Sequence, residues 1–322
     1  MTNRCGSASI RSAGIDTMTA DAASQVPPAG RLNLDHVAHF VPHIDRASAL
    51  LERLGFTLTP FSAQSHRLEP GGPLVSAGTG NRCIMLKRGY LELLTATGDT
   101  LVANQLRAAI KRYVGVHLLA FGTASPDLDH ARLARARFEP LAPVALQRAI
   151  ETASGSDTAR FTVVRVPPAA MPEGRIQYCR HHTPHLLWQT RWLDHPNRAQ
   201  ALTGALLCVD DPQQTAQRYA RFTGLLPQAT GSAWRLDTAR GSLTFVDAEQ
   251  FRRNFSFAPP TLPWIAGYTL ASHNPSHTRK QLAAGGFAIR EFRDERCFIE
   301  LPAAIGGVLI FEPMHSMPLA LA

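Results

Sequence analysis

The clearest pattern in the chain is a succession of apolar and polar positions that recurs along the sequence. The first copy spans residues 34–94, where an apolar strand is followed by a helix at 44–54 with its apolar positions on one face, and then by further strands. Gly55, directly after this helix, is typical of a helix C-terminus. A second copy spans residues 114–179. The pattern predicts two β-α-β-β-β units in the first part of the chain.

Two further copies follow in the second half. The third begins with an apolar strand at Ala205, and Asp211 and Pro212 open its helix as a capping residue and a first-turn proline. The fourth begins at Ile265. A β-α-β-β-β unit leaves one face of its curved sheet uncovered, so two units pair to bury that face. We therefore predict an α+β fold in which four β-α-β-β-β units pair into two cup-shaped half-barrel domains.

The same pattern predicts where the domains begin and end. A short segment rich in turn-forming residues separates the first pair of units from the second pair. We expect a disordered tail at 1–30, a first domain with units one and two at 31–194, a linker at 195–200, a second domain with units three and four at 201–315, and a tail at 316–322.

The composition is that of an ordinary water-soluble globular protein, with 45% hydrophobic and 18% charged residues among 322. The apolar runs are far shorter than the ~20 residues that cross a bilayer. The first 30 residues lack the apolar core of a secretory signal. The five cysteines are odd in number, widely spaced and without a CxxC motif, which favours a reducing compartment. We therefore expect a cytoplasmic protein.

The net charge of +8 does not indicate a nucleic-acid-binding protein. Only three of the 33 basic residues are lysines, and the arginines are scattered along the chain. We expect a small-molecule substrate, for which an anionic compound is compatible with the charge, and neither nucleic acid nor membrane as a partner. Four units in one chain already complete two cups, so both a monomer and a homodimer fit the sequence.

Polar side chains lie at matching places in the first two copies. His36 lies on the opening strand of unit one and Glu92 on its closing strand, while His117 and Gln177 lie on the corresponding strands of unit two. Alternate residues of facing strands line the inside of a cup, so the pairing of the units brings the four side chains together. Two imidazoles, a carboxylate and an amide oxygen suit one divalent ion of iron, nickel, zinc, cobalt or manganese.

Glycines occupy the matching places in the second half. Gly204 lies on the opening strand of unit three and Gly267 on that of unit four. Neither has a side chain that could ligate an ion, so we expect the second domain to be a degenerate copy without a metal site of this kind.

The motifs of the first half resemble a known superfamily. Asp35-His36-Val37 on a first strand, the Leu54-Gly55-Phe56 helix exit and Tyr90-Leu91-Glu92-Leu93 on a closing strand resemble the vicinal oxygen chelate superfamily. That superfamily includes glyoxalase I, extradiol dioxygenases, fosfomycin-resistance enzymes and bleomycin-binding proteins. The segment 177–184 and the residues up to 197 resemble its glyoxalase-like domain branch. The resemblance is closest over about residues 32 to 200.

The resemblance implies a metal that chelates two adjacent oxygens of a substrate, in a lyase, an isomerase or a ring-cleaving dioxygenase. Glu92 would then be the catalytic base, because the amide of Gln177 cannot accept a proton. If Gln177 is not a ligand, His36, His117 and Glu92 form the two-histidine, one-carboxylate set of non-haem iron oxygenases. The alternative is a metal-free protein of the bleomycin-resistance type that binds or sequesters a small molecule.

Four further residues are weaker candidates for substrate contacts. Cys179 and His181 share the face of Gln177, because side chains of a strand alternate between its two faces. Arg82 and Arg175 could each hold a substrate carboxylate. These assignments complete the site that the sequence predicts.

Overall fold

Four consecutive β-α-β-β-β units build the chain in the computed structural model, which describes residues 20–67, 72–317, 319 and 321. A short helix, α1 (Ala20–Ala23), precedes unit one, and α3 (Leu101–Arg112) connects units one and two. The elements of unit one are β1 (Asn33–Phe40), α2 (Ile44–Arg53), β2 (Ser62–Arg67), β3 (Leu74–Met85) and β4 (Tyr90–Ala96). Those of unit two are β5 (Gly115–Gly122), α4 (Pro126–Arg135), β6 (Val144–Thr152), β7 (Gly155–Arg165) and β8 (Arg175–His181).

The second half repeats this order. Helix α5 (Pro184–Leu187) lies between the halves. Unit three consists of β9 (Ala199–Cys208), α6 (Pro212–Thr223), β10 (Pro227–Thr230), β11 (Ala233–Asp237) and β12 (Ser242–Val246), and α7 (Ala248–Phe255) follows it. Unit four consists of β13 (Trp264–Ser272), α8 (Pro275–Ala284), β14 (Arg290–Glu291), β15 (Cys297–Glu300) and β16 (Val308–Pro313). The predicted α+β class and the four units are confirmed.

Local sequence signals fix the ends of the helices. The Asp211 side chain accepts a hydrogen bond from the backbone N–H of Gln214 at 2.9 Å, and Gly224 ends the same helix in a left-handed conformation with φ of 75°. The capping signals of α6 are therefore used as predicted. The chain leaves α2 through a turn, in which Phe56 donates its N–H to the Leu51 carbonyl oxygen, and residues 56–58 form no strand.

Units one and two close into a barrel of eight strands in the order β1-β4-β3-β2-β6-β7-β8-β5. The antiparallel pairing of β1 with β5 completes the ring, and β2 with β6 joins the two units on the opposite side. Units three and four form an open sheet around the antiparallel pair β9 and β13. One pairing, Ile265 with Val116, connects this sheet to the barrel.

The two halves also share a core and reciprocal backbone contacts. One buried cluster contains side chains of all four units. Asn33 of unit one pairs with Arg240 of unit three, and Ala201 of unit three pairs with Arg88 of unit one. No helix among the described residues has the length and apolar character that crossing a membrane requires.

The segments predicted to be a tail and a linker take part in this packing. Residues 1–19 lie outside the described part, but Gln25, within the predicted tail, is buried and donates to the Lys87 carbonyl oxygen at 2.8 Å. His195, in the predicted linker, is buried and bonded to the Met85 carbonyl oxygen at 2.9 Å. Both segments carry buried polar contacts, which hold them against unit one.

We expect Gly267→Ala to destabilise the fold strongly and Gly204→Ala to be tolerated. A Cβ at Gly267 would lie 1.9 Å from the Val308 carbonyl oxygen, whereas one at Gly204 would meet its nearest neighbour at 3.4 Å. Chemical denaturation should show a loss of roughly 3 kcal/mol for Gly267→Ala and less than about 1 kcal/mol for Gly204→Ala. Equal unfolding midpoints for the two variants would contradict this account of the β13–β16 pairing.

Candidate functional site

The inside of the eight-stranded barrel contains a cavity of about 270 Å³, here called the barrel cavity. Eight of its lining residues are apolar, and the other twelve carry polar or charged groups. These twelve are His36, Gln64, Ser65, Asn81, Tyr90, Glu92, Gln147, Arg148, Arg165, Arg175, Gln177 and Cys179. A pocket in which apolar walls meet convergent polar groups is the usual form of a small-molecule site.

His36 is held by the residue that precedes it. Its Nδ1 lies 2.7 Å from Asp35 Oδ2, and the ring stacks on Tyr90 with centroids 4.3 Å apart. Consecutive strand residues normally point to opposite faces, but the register of β1 against β5 shifts between Leu34 and His36 and leaves Asp35 as an extra residue. The Nε2 atom of His36 has no hydrogen-bond partner among the described residues.

Asp35 also binds a second imidazole. His181 Nε2 lies 3.0 Å from the same Oδ2 atom, and both residues are buried. Burial alone would raise the pKa of Asp35, but His181 and His36 hold it well below its usual range. Burial would lower the pKa of His181, but the Asp35 carboxylate and the Cys179 thiol raise it to about 10. The pair is therefore a buried ion pair behind His36.

An ionised Asp35 fixes the tautomer of a neutral His36 imidazole. A carboxylate only accepts hydrogen bonds, so the Nδ1 atom of His36 carries a proton, and in the neutral ring the Nε2 atom is the nitrogen with a free electron pair. This is the arrangement in which a carboxylate orients a histidine as a general base. Asp35 was not among the residues selected from the sequence, although it adjoins His36, because strand alternation predicts it on the other face.

Glu92 and Gln177 occupy equivalent places on the closing strands, as predicted. Glu92 pairs with Ala38 in β1 and Gln177 with Ala120 in β5. Glu92 Oε1 accepts hydrogen bonds from the side-chain amides of Asn81 and, at 3.4 Å, of Gln64. The Oε1 atom of Gln177 accepts from Arg165 Nε at 3.1 Å. Both residues line the barrel cavity.

Three arginines make the barrel cavity cationic. Arg148 Nη1 donates to Asn81 Oδ1 at 2.9 Å, and Arg175 lies over the ring of Phe40. Burial and the neighbouring Arg165 lower the pKa of Arg175 to about 10, against the attraction of Glu92. Glu92 is the one carboxylate among the lining residues of the barrel cavity. Positive charge therefore exceeds negative charge around this space, which favours an anionic ligand.

Arg148 and Arg165 lie outside the set of residues predicted from the sequence, although their spacing along β6 and β7 places both on the inner face. Arg148 lies on β6 two and four residues after Leu146 and Val144, and all three line the cavity. The same spacing holds on β7, where residues 161, 163 and 165 line it. Two-residue periodicity in both strands thus indicates which arginines face inward.

His117 does not join the predicted set. Ala38 pairs with Leu118 and His39 with Val116, so His117 is an extra residue of β5, and Leu118 is the true counterpart of His36. The His117 ring stacks on Tyr113 at 3.8 Å, and its Nε2 atom bonds the Tyr113 carbonyl oxygen at 2.7 Å. Burial lowers the pKa of His117 to about 4. The matching of His117 with His36 is corrected by one residue.

The weaker candidates divide between the cavity and other places. Arg175 and Cys179 line the barrel cavity, and His181 stands behind it as the partner of Asp35. Arg82 points elsewhere, because its Nε donates to the Thr59 carbonyl oxygen at 2.9 Å and its guanidinium pairs with Glu52 at 3.5 Å. Arg82 is therefore not part of this site.

The four places at which a metal was predicted do not form a four-ligand site. They are occupied by His36, Glu92, Leu118 and Gln177; Leu118 has no ligand atom, and Gln177 is bonded to Arg165. Another set of potential ligand atoms does converge in the described part, with Asp35, Cys179 and His181 within 4.8 Å of one another. The Asp35 oxygen in this group already accepts from two imidazoles. In these contacts Asp35 and His181 form an ion pair with each other.

Comparison with known proteins finds the glyoxalase-like domain family over residues 34–223, more than half of the chain. The structure is similar to that of a hypothetical protein from Staphylococcus aureus, with 10% identity, a TM-score of 0.59 and coverage of 88% of this chain and 100% of that one. It is also similar to a mutant 4-hydroxymandelate synthase from Streptomyces coelicolor, with 15% identity, a TM-score of 0.51 and coverage of 87% and 92%.

A third similar structure is a fusion of a xylose isomerase-like TIM barrel with a 4-hydroxyphenylpyruvate dioxygenase. Its identity is 11% and its TM-score 0.53, and the match covers 91% of this chain and about half of that one, 51%. At these identities the likeness shows the fold alone. A search of curated proteins finds no match. The matched family region crosses the predicted linker and ends within unit three.

We expect the ion pair of Asp35 and His181 to make stability depend on pH. The pKa of His181 is raised from 6.5 to about 10 in the fold, so its contribution is fully present below about pH 6.5 and is lost as the pH rises toward 10. Chemical denaturation of the wild type and His181→Gln should give a difference in unfolding free energy that shrinks by a few kcal/mol over this range. Replacement of the exposed His273 by Gln should leave the wild-type curve unchanged, and parallel curves for His181→Gln would refute the ion pair.

Proposed function

We propose, since this chain belongs to the glyoxalase-like domain family of the vicinal oxygen chelate superfamily, that it is an enzyme acting on a small organic acid with vicinal oxygens. The barrel cavity binds the acid, and His36 transfers a proton. The observation that carries the proposal is one cavity in which an oriented imidazole and three arginines meet around a single carboxylate. The reaction class is that of a lyase or an isomerase.

Binding depends on the arginines. Guanidinium groups hold carboxylates and adjacent oxygens through paired hydrogen bonds, and these interactions are stronger where water is displaced. Arg165 and Arg175 lie close enough to repel each other, and a bound anion would relieve this repulsion. Arg148 adds a third positive charge to the lining. Substrate carboxylate and carbonyl oxygens would therefore lie toward these side chains.

His36 is the group that can move a proton. The proton of a C–H bond next to a carbonyl passes to the Nε2 electron pair, and the electrons of that bond shift onto the carbonyl oxygen as an enolate. Arg165 or Arg175 stabilises the negative charge of that oxygen, and the resulting imidazolium is stabilised by Asp35. In an isomerisation, the hydroxyl on the deprotonated carbon gives up its proton, and the imidazolium returns its proton to the former carbonyl carbon. In an elimination, the enolate electrons instead expel a leaving group from the carbon on the other side of the deprotonated carbon. Glu92, the base favoured by the sequence, can receive or return the second proton.

A metal-dependent reaction, including ring cleavage by a dioxygenase, is the second candidate. His36 Nε2 and Glu92 lie in one cavity and would be the ligands of a divalent ion there, which would supply Lewis-acid or dioxygen chemistry. Two protein ligands are fewer than the three or more that such sites usually have. The third candidate is a protein that binds a small molecule in the barrel cavity without catalysing a reaction. Measurements of proton exchange and of metal content distinguish the three candidates.

We expect His36→Gln to abolish proton transfer without loss of binding. A panel of small 2-oxo acids would be incubated in deuterium oxide, and exchange of the C–H next to the carbonyl would be followed by NMR. The His36→Gln variant should lower the exchange rate at least about 100-fold with its Kd nearly unchanged, because only the base is removed. The Arg165→Gln/Arg175→Gln variant should instead weaken binding at least about tenfold, and His273→Gln should match the wild type. Binding without exchange in the wild type would leave the sequestering protein as the better account.

We expect no stoichiometric metal in the protein as purified without chelator or affinity metal. Elemental analysis of the wild type should give well under about 0.1 iron, nickel, zinc, cobalt or manganese per chain, because the four-ligand set is incomplete. About one ion per chain in the wild type, lost in both His36→Ala and Glu92→Gln, would overturn the metal-free mechanism. Iron in that case would indicate an oxygenase, and nickel or zinc a glyoxalase-type lyase.

A further inference from the structure

The open sheet of units three and four contains a second cavity, of about 400 Å³. Part of the concave face is filled, because Phe251 and Phe255 of α7 pack there with Trp264. The remainder stays open, since small residues such as Gly204, Ala205 and Ala271 line it. This space, here called the second cavity, lies apart from the barrel cavity and shares no lining residue with it.

Two arginines at equivalent places of the two halves line the second cavity. Arg88 lies two residues before the start of β4, and Arg240 lies two residues before the start of β12. They come together because the turn of each unit pairs with the opening strand of the other. Burial lowers the pKa of Arg240 against the attraction of Asp35, and the neighbouring Arg88 lowers it further. Two like charges thus face one space.

No acidic residue of the second cavity neutralises these two arginines. Asp237 is paired with Arg235 at 2.6 Å, and Glu312 with Arg296 at 2.9 Å. Arg240 Nη1 donates to the Ser24 carbonyl oxygen and to Gln25 Oε1, which holds the guanidinium in place. Its Nε and Nη2 atoms are buried and have no hydrogen-bond acceptor in the described part of the chain.

Three hydroxyl groups of units three and four also line the second cavity. Ser242 and Thr244 lie on the same face of β12, and Thr269 lies on β13 beyond Gly204, which pairs with both Ser242 and Thr269. None of the three hydroxyls has a hydrogen-bond partner among the residues that the structure describes. Each can both donate and accept, so together they suit a ligand with hydroxyl groups.

We propose that the second cavity binds a small hydroxylated organic anion, with its carboxylate or phosphate group at Arg88 and Arg240 and its hydroxyl groups along Ser242, Thr244 and Thr269. The site is independent of the proton-transfer chemistry in the barrel. An anion bound in the second cavity contacts both Arg88 of the first half and Arg240 of the second half. A bound anion therefore also ties the two halves of the chain together.

Isothermal titration of the full-length protein tests this site with four probes. D-gluconate and glycerol 3-phosphate present a carboxylate or a phosphate beside hydroxyls, acetate lacks the hydroxyls, and glycerol lacks the charge. We expect one of the two hydroxylated anions to bind at one site per chain, at least tenfold more tightly than acetate or glycerol. Which of the two binds identifies the acidic group as carboxylate or phosphate.

Variants then locate the binding. Arg88→Gln/Arg240→Gln should weaken it at least tenfold, and Thr244→Val/Thr269→Val, which leaves the charge unchanged, should weaken it at least threefold. The Arg165→Gln/Arg175→Gln variant of the barrel cavity should bind the probe as the wild type does. The proposal would be overturned if neither hydroxylated anion bound to the wild type. It would also be overturned if the barrel variant lost binding while the arginine and threonine variants of the second cavity kept it. If the arginine variant does not fold, the Thr244→Val/Thr269→Val variant still tests whether the ligand binds in the second cavity.

Discussion

The antiparallel pairing of β1 with β5 is the interaction on which the rest of the first half depends. It closes the eight-stranded ring, and it contains two irregularities, one that leaves Asp35 unpaired and one that leaves His117 unpaired. A bulge of this kind turns a side chain away from the face that strict alternation would give it. At the first bulge Asp35 comes within 2.7 Å of His36. At the second, His117 is directed onto Tyr113, and Leu118 takes the cavity position.

The second half contains irregularities at the same two places. In the pairing of β9 with β13 the extra residues Thr203 and Ala266 correspond to Asp35 and His117, and a third extra residue, Gln200, has no counterpart in the first half. The Thr203 hydroxyl donates a hydrogen bond to the Thr269 carbonyl oxygen, whereas Asp35 at the equivalent place of the first half binds two imidazoles. The bulges therefore belong to the architecture of the paired units, and the residues placed in them determine the chemistry. The same backbone arrangement thus positions a histidine and three arginines in the barrel cavity. In the second cavity it positions hydroxyl groups and a different pair of arginines.

The sequence predicted the repeat, the helix caps and the fold class because each rests on local periodicity and on the preferences of Asp, Pro and Gly at helix ends. His36, Glu92 and Gln177, which the sequence predicts on the inner face of their strands, all line one cavity. The prediction failed at His117 because a bulge shifts the alternation by one residue and leaves no mark in the hydrophobic pattern. It missed the role of Asp35 for the same reason. The arginines of β6 and β7 were overlooked although their two-residue spacing pointed inward.

The charges that line the barrel cavity favour an anion over a metal cation as its occupant. A divalent cation beside Glu92 would be attracted by one carboxylate and repelled by Arg165 and Arg175, whose charges already affect each other. Interactions between charges within a few ångströms are worth several kcal/mol in a partly desolvated site, so the two arginines oppose the binding of a divalent cation at Glu92. An organic anion reverses each of these signs. The residue at the place equivalent to His36 also matters. It is Leu118, which has no ligand atom, so the cavity lacks the second imidazole that a metal ion would need.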